Sequence, residues 1–375
     1  NVSFWPLGGF YLGEHDSLID FNKRKNDLSF LGSKYGVPTM RYVTRIPIIG
    51  NLDVFWNKKS FFNSGIKYIC PVSDRWNNSS RLFKTLICLT LIIFKLPKKN
   101  VSLFSFQSNI SAIILSRILG IKVIIRLNTA LTKYINGFFK IILFKVFYRM
   151  SDKIIVNSLK FKKELKSLLN LKSDYIPNPI NLKKRFKKKK INYFTNFKGL
   201  KILSIGRLTD QKNQITILKS LKILKEKKID FKFFLIGQGY KLQELKKYVI
   251  NNKLMNNVKF AGYKKNAFQY MRSSDLFILS SKFEGLPNVL IEAQSQNIPI
   301  ISSDCSTGPS EILLNGRLGN LFKVEDYISL SKTIINFYEN KNPLLDKAKL
   351  GKKYLYRYDY NKNLIKYYKL VEKVI

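Results

Sequence analysis

From about residue 200 onward, short apolar runs alternate with amphipathic stretches. The runs are Lys201–Ile205, Phe231–Ile236, Val258–Ala261, Leu276–Ser280 and Ile298–Ser302. They recur at roughly 20- to 30-residue intervals, the rhythm of βαβ units around a parallel sheet. Between the first two, Gln214–Lys225 places Ile215, Leu218, Leu221 and Leu224 on one helical face. The first half follows the same rhythm less clearly. Ile66–Val72, Val101–Phe106, Lys122–Arg126 and Lys153–Asn157 read as strands, and Asn109–Leu119 as a helix. Asp20 to Phe62 carries Pro, Gly and Asn breakers with no sustained period, and no element is assigned there. The tail, Asn361–Ile375, spaces Leu364, Tyr367, Tyr368 and Val371 for one helical face.

The pattern breaks near residue 180. Ile176-Pro-Asn-Pro-Ile180 forbids a helix locally. Lys183–Lys190 (KKRFKKKK) follows, a like-charged run that repels itself and stays solvated. It reads as a linker, or as a contact for acidic lipid or nucleic acid. The expectation is therefore two α/β domains within the 375 residues. Ligands of such folds sit outside the carboxyl ends of the strands, and a cleft between domains is a favoured place.

Charge changes this picture. The chain has 67 Lys and Arg against 24 Asp and Glu, a net +43. Such a balance favours anionic partners: nucleic acid, acidic lipid or phosphorylated ligands. The competing reading is codon bias, since Lys, Ile, Asn, Phe and Tyr are all abundant. Three scattered cysteines (Cys70, Cys88, Cys305) and one histidine (His15) leave no disulfide framework and no zinc spacing. A reducing, cytoplasmic compartment is expected. The longest clean apolar run, Thr85 to Phe94, is too short to span a bilayer. The first residues show no basic leader ahead of an apolar stretch.

Two clusters carry candidate chemistry. Gly206-Arg207-Leu208-Thr209-Asp210-Gln211-Lys212-Asn213 follows a strand and opens a helix. Arg207 and Lys212 share one loop, Asp210 is placed as an N-cap, and two cations at a helix start suit a diphosphate. The plainer reading is a surface loop with two solvated charges. Glu284-Gly-Leu-Pro-Asn-Val-Leu-Ile-Glu292 also follows a strand. Pro287 suits a first helical turn, and Gly285 lets backbone approach a ligand. Carboxylates accept hydrogen bonds from sugar or ribose hydroxyls. Either Glu alone is more often a solvated surface charge. Gly237-Gln-Gly239 is half of a dinucleotide fingerprint, weak as an NAD signal because Leu242 stands at the third glycine position. It reads better as a tight turn close to a ligand.

The stretch from Gly206 to about Phe322 resembles the donor-binding domain of the family four retaining glycosyltransferases. The matching pieces are GRLTDQKN, LIGQGYKLQEL, VKFAGYKKN, MRSSDLFILSSKFEGLPNVLIEAQSQNIPIISSDCSTGPSEIL and NGRLGNLF. Glu284 and Glu292, with seven residues between them, match that family's E-x7-E motif. NVSLFSFQSNISAIILSRILGIKVIIRLNT is similar to the acceptor domain of bacterial cell-surface sugar transferases.

The resemblance implies the α/β fold called GT-B: two Rossmann-like domains with a cleft between them and a C-terminal helix crossing back to the first. Residues 1–180 with the tail helix 361–375 would bind acceptor, 181–197 would be a basic linker, and 198–350 would bind donor. It assigns Arg207 and Lys212 to the donor diphosphate and Glu284 to the donor sugar, all three as catalytic groups. Gly206, Gly237, Gly239, Tyr263 beside Gly262, Gly285, Leu286, Pro287, Asn288 and Glu292 complete the donor site, with Glu292 on the ribose. The Gly-Gly loop of the family corresponds to Gly8-Gly9. Where many members carry a histidine, Arg126-Leu127-Asn128-Thr129 stands, so Arg126 or Asn128 takes its place, contacts the acceptor or is structural.

The implied activity is retaining transfer of a hexosyl or N-acetylhexosaminyl group from a nucleotide diphosphate sugar, a UDP-sugar by preference, to a lipid-linked or surface-glycan acceptor. No cofactor or metal is expected, and no Asp-x-Asp motif occurs. Nucleic acid is not expected as a partner, since no recognisable nucleic-acid motif is present. An anionic membrane surface is, with the protein peripheral on its inner face. Lys133, Lys140, Lys145 and Arg149 accompany Phe138, Phe139, Leu143, Phe144 and Phe147, and a basic helix with aromatic residues suits an interface. The alternative there is a core-packed helix with a wet face. For the whole chain the alternatives are a basic nucleic-acid-binding protein and a GT-B transferase with a small soluble acceptor. Glu284→Ala and Lys212→Ala are expected to abolish transfer with the fold intact.

Overall fold

The computed structural model describes residues 102–106, 109–131, 135, 137–180, 197–264 and 267–374, three short strands before them, and residues 90, 93 and 94. Gly8, Gly9, Lys133 and the basic run 183–190 lie outside the described residues. The chain divides into two compact units, Asn1–Pro179 with Asn361–Ile375, and Ile180–Tyr360.

In the first unit, the strands are β1 (Leu28–Leu31), β2 (Met40–Val43), β3 (Ile66–Ile69), β4 (Ser102–Ser105), β5 (Lys122–Leu127), β6 (Lys153–Val156) and β7 (Asp174–Tyr175). They form one sheet in the order β3-β1-β2-β4-β5-β6-β7. β4 to β7 run parallel, linked by α1 (Asn109–Ile118), α2 (Phe138–Arg149) and α3 (Leu159–Leu169). The β1 and β2 strands fall in the stretch left unassigned from sequence. β2 runs antiparallel to both β1 and β4, and two four-residue strands are too short for a period to show against their breakers. Local chemistry sets the α3 ends. The Ser158 hydroxyl accepts from the Phe161 amide at 3.2 Å, and Asn170 closes the helix in the left-handed region.

The second unit is an all-parallel sheet of β8 (Leu200–Ile205), β9 (Phe231–Ile236), β10 (Val258–Gly262), β11 (Leu276–Leu279), β12 (Ile300–Ser303) and β13 (Asn320–Phe322). Its order is β10-β9-β8-β11-β12-β13, the doubly wound arrangement whose direction reverses between the first and fourth strands. Alternate side chains of each strand enter different cores. Ile202, Phe233, Leu276 and Ile278 join Leu218 and Leu221 of α4 (Gln214–Glu226) and Leu245 of α5 (Leu242–Asn251) on one face. Leu203, Ile205, Phe277 and Leu279 join the other core, which contains Leu290 and Ile291 of α7 (Asn288–Ser295), after the short α6 (Ala267–Arg272). Burial on both faces is why these strands read as continuous apolar runs rather than as alternation. The unit closes with α8 (Pro309–Ile312), α9 (Tyr327–Glu339), α10 (Asn342–Lys353) and a 3-10 turn over Tyr354–Tyr358. In that turn, Arg357 donates to the Glu311 and Ile312 carbonyls at 3.0 and 2.9 Å, capping α8.

The last helix, α11 (Tyr360–Glu372), belongs to the first unit over most of its length. Its buried face is Asn363, Tyr367, Leu370 and Val371, with Leu364 and Tyr368 only half-buried. Tyr367, Leu370 and Val371 pack on Phe104, Ile124, Ile155 and Ile176.

Candidate active site

The predicted donor residues gather at the carboxyl edge of the second sheet. Gly206 and Arg207 follow β8, Gly237 and Gly239 follow β9, Tyr263 follows β10, and Glu284 follows β11. Backbone contacts tie these loops together. The Gly206 amide donates to the Ile236 carbonyl, the Gly237 amide to the Gly262 carbonyl and the Leu208 amide to the Gln238 carbonyl, each at 2.9 Å. Gly237 and Gly239 serve this loop packing. A Cβ on Gly237 would stand 1.8 Å from the Gly206 carbonyl oxygen, and one on Gly239 2.1 Å from that of Leu208. Both glycines thus approach a neighbouring loop closely at the sheet edge.

At the reversal between β8 and β11, Lys212 and Glu284 form an ion pair whose side chains are 5% and 8% exposed. The plainer reading as solvated surface charges fails for both residues, and for Glu292, which is also buried. The Lys212 stem passes over Gly206, its methylenes 3.5–3.6 Å from where a Gly206 Cβ would be, an ordinary contact distance. The Lys212 ammonium is therefore held on a carboxylate and not offered from an open loop. Arg207 is half-buried, and its Nε is sealed from solvent with no partner among the described residues. Such an orphaned cationic donor is a group awaiting an acceptor.

Residues that the sequence reading passed over hold this pair in place. The Ser281 hydroxyl donates to Glu284 Oε1 at 2.6 Å, and Ser280 to the Lys212 carbonyl at 2.9 Å. Thr307 donates to the Glu284 carbonyl, Ser303 to the Ser281 carbonyl at 2.6 Å, and Gln211 to the Phe283 carbonyl at 3.1 Å. Gly308 seats the next loop on Gly285, where a Cβ would come within 2.1 Å of the Gly285 carbonyl oxygen. The signal was the small polar residues after β11 and from the end of β12 onward, SSKFE and SSDCSTG, whose hydroxyls have no period to mark them. Burial, with Glu284 nearby, pushes the Cys305 thiol well above the usual range.

Other expectations need correction. Asp210 does not cap α4; Asn213 stands at that position, without a side-chain cap bond. Asp210 instead takes the Tyr240 hydroxyl at 2.7 Å and the Lys241 ammonium at 2.9 Å, which hold its carboxyl below the usual range. Pro287 precedes α7 as its N-cap residue. Leu286 turns into the hydrophobic core, and Asn288 opens the helix, buried. Tyr263 is 38% exposed at the same sheet edge.

Arg126 and Asn128 lie in the other unit, after β5. Arg126 is fully buried. Its guanidinium donates to the Tyr367 hydroxyl at 2.8 Å, to Asn128 Oδ1 and to Asn178 Oδ1, and lies over the Phe106 ring. Asn128 donates to the Phe106 carbonyl at 2.8 Å. Of the readings open for Arg126, the structural one describes this environment: it ties α11 and the end of the first unit to β5. Burial pushes the Arg126 guanidinium down and the Tyr367 hydroxyl up.

Among the described residues, no group of three or more His, Cys, Asp and Glu comes together in a metal-binding cluster, and no helix is long and apolar enough to cross a membrane.

Comparison with known proteins bears on this edge. Residues 185–354 match the family described as Glycosyl transferases group 1. An uncharacterized glycosyltransferase of Methanocaldococcus jannaschii is 36% identical over 200 residues, covering 50% of this chain and 48% of that protein. The Campylobacter jejuni N-acetylgalactosamine-N,N'-diacetylbacillosaminyl-diphospho-undecaprenol 4-alpha-N-acetylgalactosaminyltransferase is 29% identical over 153 residues, covering 41% and 39%. The chain thus spans about half, or less, of the length of these curated relatives. Among solved structures, Anabaena HepE in complex with UDP superposes with a TM-score of 0.68 at 16% identity, covering 82% of this chain and 86% of that one. Residues 185–354 are thus similar to the group 1 glycosyl transferases, and the chain shares the GT-B fold of its structural neighbours.

Proposed function

We propose that the chain transfers a hexosyl or N-acetylhexosaminyl group from a UDP-sugar to a lipid-linked or surface-glycan acceptor, with retention at the anomeric carbon and without a metal. The observation that carries this reading is the buried Lys212–Glu284 pair at the strand reversal, where ligands of doubly wound sheets bind. Breaking a sugar–phosphate bond builds negative charge on the leaving diphosphate. Arg207, with its unpartnered Nε, and Lys212 are preorganised to stabilise it. Glu284 accepts a sugar hydroxyl and Glu292 the ribose. In retention by front-face attack, the leaving phosphate takes the acceptor's proton, so no protein base is required. The UDP in HepE and the diphospho-undecaprenol in the Campylobacter jejuni enzyme's name support the donor and acceptor classes.

A thermal-shift panel tests the donor. A UDP-sugar at about 100 times its Kd adds about 2.7 kcal/mol to the folded state. A raised Tm with a UDP-sugar, lost in Arg207→Ala, is the expected result. Folded protein indifferent to every uridine and guanosine diphosphate sugar would sink the reading.

The acceptor class carries a location: the inner surface of an anionic membrane. Support comes from α2, where Tyr148 alone is fully buried. Ile141 and Phe144 turn inward against the core, so Phe144 leaves the expected interface set. Phe138 and Phe139 are 71% and 86% exposed, with Ile142, Leu143, Val146 and Met150 beyond them and Ile118 exposed on α1. The outward face thus carries several large apolar side chains. Lys140 and Arg149 are exposed on the same helix, complementary to anionic headgroups. The protein is expected to float with phosphatidylglycerol vesicles, not with phosphatidylcholine, and to lose this in Phe138→Ser/Phe139→Ser. Equal flotation of that variant would refute the surface.

A further inference from the structure

Two consecutive serines at the end of β11 grip the two members of the ion pair separately. Directly after β11, the Ser280 hydroxyl donates to the Lys212 carbonyl and the Ser281 hydroxyl to the Glu284 carboxylate. Ser281 is completely buried. Its own carbonyl is fixed by Ser303 from β12, and the Glu284 backbone by Thr307. Every one of these bonds falls on Glu284 Oε1 or on backbone. Oε1 receives both the Lys212 ammonium and the Ser281 hydroxyl. Oε2 has no partner among the described residues, and 8% of the side chain remains accessible.

We infer that Ser281 is a positioning residue for sugar selection: by occupying Oε1 jointly with Lys212, it fixes the carboxylate plane and presents Oε2 to a sugar hydroxyl. The inference rests on the donor reading above and deepens it. The geometry separates two tasks. Lys212 and Arg207 face the diphosphate whether or not a sugar is attached. Ser281 touches neither of those cations' head groups in the described contacts, and acts only through Glu284. With the Ser281 hydroxyl gone, the carboxylate pivots about the single Lys212 contact, and Oε2 loses its aim. Sugar recognition then fails while nucleotide recognition persists. A serine that merely supported the fold would weaken both together.

Calorimetric titration of the full chain with UDP and with UDP-N-acetylgalactosamine, UDP-galactose and UDP-glucose separates these cases. The quantity read is the affinity gained by the attached sugar over UDP alone. In the wild type at least one sugar adds affinity. In Ser281→Ala that gain is expected to fall about tenfold, the scale of one charge-assisted hydrogen bond, while UDP affinity stays within about twofold. Ser281→Cys keeps the volume with a weaker donor and is expected to behave like the alanine variant. A sugar gain equal to wild type in both variants overturns the assignment of Ser281 and leaves the donor reading standing. Parallel loss of UDP affinity and of Tm makes Ser281 structural and overturns it equally. A wild type that binds UDP but gains nothing from any of the three sugars also overturns it. A wild type that binds none of the four overturns the donor reading, and the role of Ser281 falls with it.

Discussion

Glu284→Ala is expected to abolish sugar transfer and also to destabilise the protein by about 3–5 kcal/mol, the cost of breaking a buried ion pair from one side. Sequence alone led to loss of transfer in an intact fold. The structure changes the second half of that expectation. The Lys212 ammonium sits at 5% exposure, with its stem laid over Gly206 and its backbone held by Ser280. Without the carboxylate it is a desolvated cation, and the Ser281 hydroxyl loses its acceptor as well. Lys212→Ala leaves the mirror-image defect, a buried carboxylate with one neutral donor. The two losses share one cause, so they do not add. Lys212→Ala/Glu284→Ala is expected to be clearly less destabilised than the sum of the single variants. Urea unfolding of the four proteins closes the cycle. A wild-type midpoint in Glu284→Ala would show that the pair is solvated and remove the basis of the site.

Arg126→Ala is the second large effect, and it belongs to the fold rather than to chemistry. Its loss strips donors from the Tyr367 hydroxyl, Asn128 Oδ1 and Asn178 Oδ1. Asn178 and Tyr367 are buried and Asn128 half-buried; a buried acceptor that loses its donor costs about 1–3 kcal/mol, so a total of about 3 kcal/mol is expected, even after relief of the guanidinium's own desolvation. The damage should be directional. Arg126 bonds Tyr367 near the middle of α11, which also packs Tyr367, Leu370 and Val371 on Phe104, Ile124, Ile155 and Ile176. Hydrogen exchange across residues 361–374 is expected to quicken before exchange in β4 to β6 does. Unchanged protection of that helix would mean that apolar packing alone retains it, and the clamp would be no clamp.

Much of the second unit was legible. Each apolar run expected from Lys201 to Ser302 coincides with a strand of β8 to β12, within a residue or two at its ends. Leu218, Leu221 and Leu224 are buried in α4 as their spacing implied. Strands covered on both faces and helices covered on one leave strong periodic marks, and the motifs sit at the strand ends that those marks locate. β13, three residues long, left no such mark. Neither did β1 and β2. In α11 the face was set a little off, because Leu364 and Tyr368 look more apolar than Asn363, which is the buried one.

What the sequence determined by itself is local: the alternation of strands and helices, the Ser158 cap of α3, the loops bearing Arg207 and Glu284, and the excess of positive charge. These depend on neighbours a few residues apart, where periodicity and backbone sterics act directly. The tertiary structure alone decided which charges are buried and on what. Lys212 meets Glu284 across 72 residues and Arg126 meets Tyr367 across 241. Contacts of that span exist only once strand order brings β8 beside β11 and returns α11 to β5, and no local pattern records that order. The same holds for Gly237, whose missing side chain matters because another loop's carbonyl lies where it would be. It holds too for Ser281, an ordinary serine until the fold sets a carboxylate 2.6 Å from its hydroxyl.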